Sequence, residues 1–421
     1  MKSIFLIATI IILSISSCSS PENKASENEE KSSQQTKQTV GSSLYKLVET
    51  YSNMGYHRTG TSVDAVTNKW FADELKQIGG KVSQQAFKFD KFENSVTVTL
   101  DGEVIPSLPL FYEGVGSVET NSPFVSSLNV MSLDRTTNAL NNAIQQAIDD
   151  KNEIAVIATQ NKFGELATPN RFPKLGSGLP VVLVPGKYAT KLEEADINVK
   201  YDAKIVSAES NNIIAVFGDT SKMKPIVLAT PLSGWFNCAA ERGTGIAVAI
   251  KLASELSKDY PVLVIGAPGH EILHHIGLAH FLNNNKIEAS IIIHLGANVA
   301  IGVKDEETGS MKLAPGVNDP RSIPETARTV FVRMDTSIFK SLTPVLDKID
   351  LPAVVNPPHW NGEAALWAKS SPAPLMSFTG ISPIFHTPSD VPENATNAEL
   401  LEDVYNAIYK SITIYMNKNK N

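Results

Sequence analysis

Apolar positions along this chain follow two rhythms. Near the N-terminus they recur at helical spacing: Leu44, Leu47, Val48 and Tyr51 share a face between Ser43 and Met54. From about Ser62 to Ile78 the same spacing turns Val63, Val66, Trp70, Leu75 and Ile78 inward, and Gly79-Gly80 supplies the stop. Lys81 to Phe89 then predicts a strand with Val82 and Phe87 inward. Beyond Asn211 short continuous apolar runs take over, at Ile213 to Phe217, Pro225 to Thr230, Val262 to Ala267 and Ser290 to Leu295. Helical patterns at Thr244 to Ser257 and Glu271 to Asn283 alternate with them. Runs apolar on both faces, interleaved with helices, predict an α/β fold: a mostly parallel central sheet with helices on both faces. Sites in such sheets lie at the carboxyl ends of the strands, which here means just after Thr230, Ala267 and Ile293. At the other end of the chain Thr396 and Glu399 read as a capping box. Leu401, Val404, Ile408, Ile412 and Tyr415 form the buried stripe that follows.

Between residues 95 and 210 the pattern changes. Val96 to Leu100 alternates and meets the turn signal Asp101-Gly102. A helix is expected at Thr136 to Asp149, strands at Ile154 to Ala158 and Leu179 to Val184, and a short helix at Tyr188 to Asp196. These elements predict a smaller α/β domain inserted into the first, which would comprise residues 43–94 and 211–421.

The N-terminus adds a separate layer. Lys2 precedes an apolar run, Ile4 to Leu13, that is too short to span a bilayer stably and reads as a signal peptide over residues 1–17. Residues 18–42 are polar, contain no aromatic residue and predict a flexible tether. Ile15-Ser16-Ser17-Cys18 resembles the lipobox of bacterial lipoproteins. That resemblance implies lipidation of Cys18 and a membrane-anchored location in a bacterial cell envelope. Cys238 would then be the sole thiol left, so no disulfide is expected within the chain. A net charge of −7 argues against a nucleic-acid partner, whose phosphates need a basic face.

Four of the eight histidines fall between His270 and His280. His270-Glu271-Ile272-Leu273-His274-His275-Ile276-Gly277-Leu278-Ala279-His280 fits H-E-x-x-H-x-x-G-x-x-H. In that metzincin pattern three histidines hold zinc and the glutamate is the base. The context opposes it. Pro268-Gly269 prevents a helix from extending N-terminally of His270, and no methionine follows within reach for the Met-turn, the next being Met311.

A second pattern covers more of the chain. In order come His57-Arg58-Thr59-Gly60-Thr61 between two helices and Ala239-Ala240-Glu241-Arg242-Gly243-Thr244-Gly245 opening a helix. His270-Glu271 and His294 follow successive strands, and Gly380-Ile381-Ser382-Pro383-Ile384-Phe385-His386-Thr387-Pro388-Ser389-Asp390 comes late, with Gly362-Glu363 upstream. From about residue 43 to 416 this layout resembles the zinc exopeptidases that include leucyl aminopeptidases and glutaminyl cyclases. Residues 95–210 resemble the protease-associated domain often inserted in them. The resemblance implies one zinc per chain, with Glu241, Glu271 and His386 as ligands and His294 as a fourth ligand or neighbour. It places His270 where the family has its catalytic glutamate, so an imidazole would take the proton. Glu363, His359 and Arg242 become candidate substrate contacts, although Arg242 beside Glu241 also suits an ion pair. His274, His275 and His280 are expected on a helix beyond the active loop. The sequence departs from the family at Ala229-Thr230-Pro231-Leu232-Ser233, which lacks the expected His-x-Asp. The implied activity is metal-dependent hydrolysis of a peptide or small amide, aminopeptidase-like. A non-catalytic binding protein, glutaminyl cyclisation and a metzincin endopeptidase are the alternatives.

Overall fold

A computed structural model describes residues 39–129, 137–169, 178–272, 275–320 and 325–419. Cys18, the signal segment and His274 lie outside them, so the readings placed there stand as expectations. Residues 39–421 form one compact unit.

The organising element is a ten-stranded mixed sheet. Its middle is parallel: Leu375–Ile381, Ile291–Leu295, Ile226–Pro231 and Val262–Ala267 lie side by side in one direction. These are the buried runs with apolar residues on both faces. On one flank Ala327–Arg333 runs antiparallel to Leu375–Ile381. On the other, Lys81–Leu100 and Ile197–Phe217 pair antiparallel from Lys81 opposite Val216 to Leu100 opposite Ile197. The strand expected to end at Phe89 therefore continues for another turn of the sheet. Asp90, Lys91 and Glu93 look like a break in the sequence, but their backbones are paired throughout, with Asp90 exposed on one face of the ribbon and Lys91 and Glu93 half-buried on the other. This long ribbon carries a second sheet at its far end. There Leu108–Pro109, Val181–Pro185, Ala155–Gln160 and Phe124–Asn129 lie in that order, with the helix Thr137–Asp149 nearby.

Both faces of the central sheet are covered. Helices Val40–Ser52, Thr244–Leu256 and Ala398–Lys418 bury Leu44, Val48, Ile246, Leu401 and Ile408 on one side. Phe281 and Trp367 pack with Ile292 on the other. A third cluster joins Phe87, Phe92 and Trp235 to Val156 and Val182, welding the second sheet to the first.

Three local expectations change. The C-terminal helix is capped by Asn397, whose side chain accepts from Leu400 N, while the Thr396 hydroxyl donates to the Ala300 carbonyl. The cap shifts by one residue because Thr396 is taken by a tertiary bond. Val66 is 54% exposed rather than inward, since Thr67 and Asn68 take the buried face of Ser62–Gln77. The helix expected from Glu271 begins only at Ile276 and runs to Asn284.

The first turn motif is structural at His57. Its ring stacks on Tyr51 at 3.8 Å, with Nε2 facing the Tyr51 carbonyl and Nδ1 the Thr67 hydroxyl. Burial depresses its pKa to about 4, against the opposing pull of the Tyr51 carbonyl. A histidine depressed on folding contributes stability that is full above its unfolded pKa, near 6.5, and is lost as pH falls toward 4. Wild type should therefore lose about 3 kcal/mol relative to His57→Gln between pH 7 and pH 4, measured by urea unfolding.

Candidate metal and catalytic site

Four loops meet at the carboxyl ends of the parallel strands. Thr59, from the first turn motif, donates its N–H to Glu271 Oε1 at 2.7 Å. Ser233, just beyond Ile226–Pro231, donates its hydroxyl to Glu271 Oε2 at 2.6 Å. The Gly269 N–H lies 2.8 Å from both the Thr59 and Ser233 hydroxyls. Glu271 is thus a buried tie between three loops, with both oxygens engaged, and not the open metal ligand expected of it. Ser233 belongs to the stretch Ala229 to Ser233 that lacks the expected His-x-Asp, and its hydroxyl serves Glu271.

The glycines of the histidine stretch are explained by close packing. Gly269 sits at φ +92°, and a Cβ on Gly277 would lie 2.1 Å from the Pro268 carbonyl oxygen. Gly277 therefore lets the helix Ile276–Asn284 press against the Pro268 loop; it does not turn the chain toward a third zinc ligand. His280 lies half-buried beside the Phe87 ring, 6.2 Å between centroids.

Glu241 and Arg242 occupy a π-helical turn, Ala239–Gly243, that leads into Thr244–Leu256. Both are fully buried, with Arg242 Nη2 2.7 Å from Glu241 Oε1. Arg242 Nε also donates to the Ser233 carbonyl at 2.8 Å. Burial opposes ionisation of Glu241, but the Arg242 and His386 charges outweigh it and hold the carboxyl below its ordinary value. Asp390 accepts from the N–H groups of Ala240 and Glu241, fixing the turn from outside. Burial pushes the Asp390 carboxyl up to about 7, against the pull of those donors. His386, in a left-handed conformation at φ +62°, sets Nε2 3.4 Å from Glu241 Oε1 and Nδ1 3.3 Å from the Thr168 carbonyl of the second sheet's loop. Arg242, expected as a substrate contact, is thus an internal cation that neutralises Glu241.

His270 lies at the other side of this charge. Its Nδ1 is 3.3 Å from Glu363 Oε1, and its ring stands 4.6 Å from that of His275. His270 is about a quarter exposed, whereas Glu363 and His275 are buried. His275 reaches the group because it adopts a left-handed backbone, φ +52°, immediately before the helix. A helical continuation would have turned it elsewhere, as the sequence pattern suggested. Burial first, then the Arg242 charge, hold the His270 imidazole well below its ordinary pKa. Burial pushes Glu363 up to about 8, with Arg242 pulling the other way. Glu363 precedes the helix Ala364–Ser370, and its tie to His270 replaces the substrate contact expected of it. His359 is exposed in the loop upstream. His294 is buried in the sheet, its Nδ1 2.9 Å from the Ser377 hydroxyl, and burial depresses its pKa to about 3.

The donors decide where a metal fits. Among the described residues the ligand atoms of Glu241, Glu271, His386 and His294 do not converge as one group: Arg242 sits on Glu241 Oε1, each Glu271 oxygen accepts a hydrogen bond, and His294 Nδ1 faces Ser377. Among the described residues, one set fits instead. Ligand atoms of His270, His275 and Glu363 all lie within 4.8 Å of one another. Uncharged imidazoles present lone pairs, and two histidines with one carboxylate form a donor set that suits a catalytic zinc with an open position. Sequence reasoning missed His275 as a member, and also Ser233 and Asp390. The only signal for Asp390 was its place just after His386-Thr387.

This architecture has counterparts among solved structures. A zinc aminopeptidase from Bacillus subtilis superposes with a TM-score of 0.65 at 15% identity, covering 88% of this chain and 94% of that one. The chain has the same fold. A peptidase M28 precursor from Shewanella amazonensis gives 0.62 at 13% identity, over 89% and 93% of the two chains. An aminopeptidase from an Aneurinibacillus strain gives 0.55 at 16%, over 89% and 94%. No protein-family model matches the sequence, and no curated protein matches it.

Proposed function

We propose that this protein is a metal-dependent hydrolase of peptide or small amide bonds, acting at a chain end as aminopeptidases do, with one zinc per chain. The observation that carries the reading is the cluster of His270, His275 and Glu363. It lies on the loops beyond the strand ends of a fold shared with zinc aminopeptidases. A zinc ion there would polarise the scissile carbonyl and lower the pKa of a bound water. His270 belongs to the ligand set in this reading, not to the proton transfer. Cys18 would carry a lipid that keeps the enzyme at a bacterial membrane, on the envelope side. Among the described residues no helix is long and apolar enough to cross one.

The test is metal analysis of the purified protein, followed by a panel of aminoacyl-nitroanilides. Near one zinc per chain is expected, with hydrolysis lost on chelation and restored by zinc. A chain that binds no metal would sink the proposal.

One observation favours a second reading. With Glu241 Oε1 paired to Arg242 and each Glu271 oxygen accepting a hydrogen bond, two acidic groups of the centre are engaged by the protein itself, as in a fold kept for binding rather than turnover. That reading expects peptide binding with neither metal nor hydrolysis.

A further inference from the structure

A cleft of about 790 Å³ has none of His270, His275, Glu363 or Glu241 in its lining. Its walls include Lys162 and Phe163 of the second sheet's loop, the strand Gly302–Lys304, the loop Ser382–Ile384 that precedes His386, and Glu325 and Asn394 beside them. A volume of this size is in the range, roughly 300–1,000 Å³, that holds small ligands or a short peptide stretch.

The strand in the wall is half-paired. Gly302–Lys304 runs antiparallel to Met311–Leu313, with Gly302 opposite Leu313 and Lys304 opposite Met311. Ala314 N donates to the Ile301 carbonyl and Asp305 N to the Ser310 carbonyl. In an antiparallel ladder bonded and non-bonded residues alternate, so Val303 bonds inward, and the N–H and C=O of Gly302 and Lys304 turn outward. Among the described residues no backbone group meets them. Two further features point to a ligand. Phe163 and Val303 are large apolar side chains left 45% and 41% exposed. Ser382 also lines the cleft, and its residue is 99% buried (1% exposed) with a hydroxyl that has no hydrogen-bond partner.

We propose that this cleft binds an extended peptide segment. The peptide adds as a strand to the Gly302–Lys304 edge, sets an apolar side chain against Phe163 and Ile384, and bonds the Ser382 hydroxyl. An unpaired edge gives affinity through main-chain bonds, and the apolar pocket beside it gives selectivity. The site stands apart from the metal cluster, so it holds whether or not the hydrolytic reading does.

The probe is acetyl-Leu-Val-Phe-Lys-amide with a fluorophore on the lysine side chain, blocked at its N-terminus so that an aminopeptidase site does not accept it. Fluorescence anisotropy of the full chain should show saturable binding. Phe163→Glu should weaken it at least tenfold. Lys304→Pro should do the same, because it removes an outward N–H while leaving the ladder to Met311–Leu313 intact. His270→Ala should bind as wild type. The proposal is overturned if wild type does not bind, if both cleft variants bind normally, or if His270→Ala abolishes binding. Zinc content is measured in parallel, so a failed metal site is distinguished from a failed cleft.

Discussion

Glu363→Ala should strip the purified protein of its metal, taking zinc from near one per chain to near zero. Hydrolysis of its best substrate should fall by roughly two orders of magnitude or more. The expectation follows from the donor set: among the described residues Glu363 is the carboxylate grouped with His270 and His275, and two imidazoles alone hold zinc weakly. His275→Ala should behave alike. His280→Ala should keep its zinc, because that side chain packs beside Phe87 on the far part of the helix. Elemental analysis after exhaustive dialysis reads all three. If His386→Ala or Glu271→Ala loses the metal while Glu363→Ala retains it, the ligand set first suggested by the sequence is the correct one.

Arg242→Met is expected to be the most damaging single change to stability. It leaves the Glu241 carboxylate fully buried with its counter-charge gone, a situation that costs about 3–5 kcal/mol. Adding Glu241→Gln removes the stranded charge, so Glu241→Gln/Arg242→Met should recover most of that loss. Chemical denaturation of the single and double variants measures the coupling. Equal destabilisation in both would show that the loss comes from Arg242's bond to the Ser233 carbonyl or from packing, and not from the ion pair.

The parts of the fold legible in the sequence are those set by local rhythm. The strand at Val262–Ala267 falls where its apolar run lies, and the alternation of runs and helices gave a sheet covered on both faces. The continuous ribbon through Asp90 to Asn94 was not legible, because a largely polar stretch is held in a strand by its partner Ala203 to Ser207, over a hundred residues away in the chain.

The candidate site divides the same way. That the residues beyond Ala267 and around His386 belong to the centre follows from strand order and motif, which the sequence carries. Which of them join was decided by contacts between distant loops. Ser233 and Thr59 consume Glu271, Arg242 consumes Glu241, and Glu363 crosses 93 positions to reach His270. The left-handed backbone at His275 turns a helix-pattern histidine into the third member. The sequence by itself determined the sheet, the helices and the loops that meet. Only the tertiary structure decided which charges are spent on one another and which remain for chemistry, because a buried polar group is defined by its partners and those are not its neighbours in the chain.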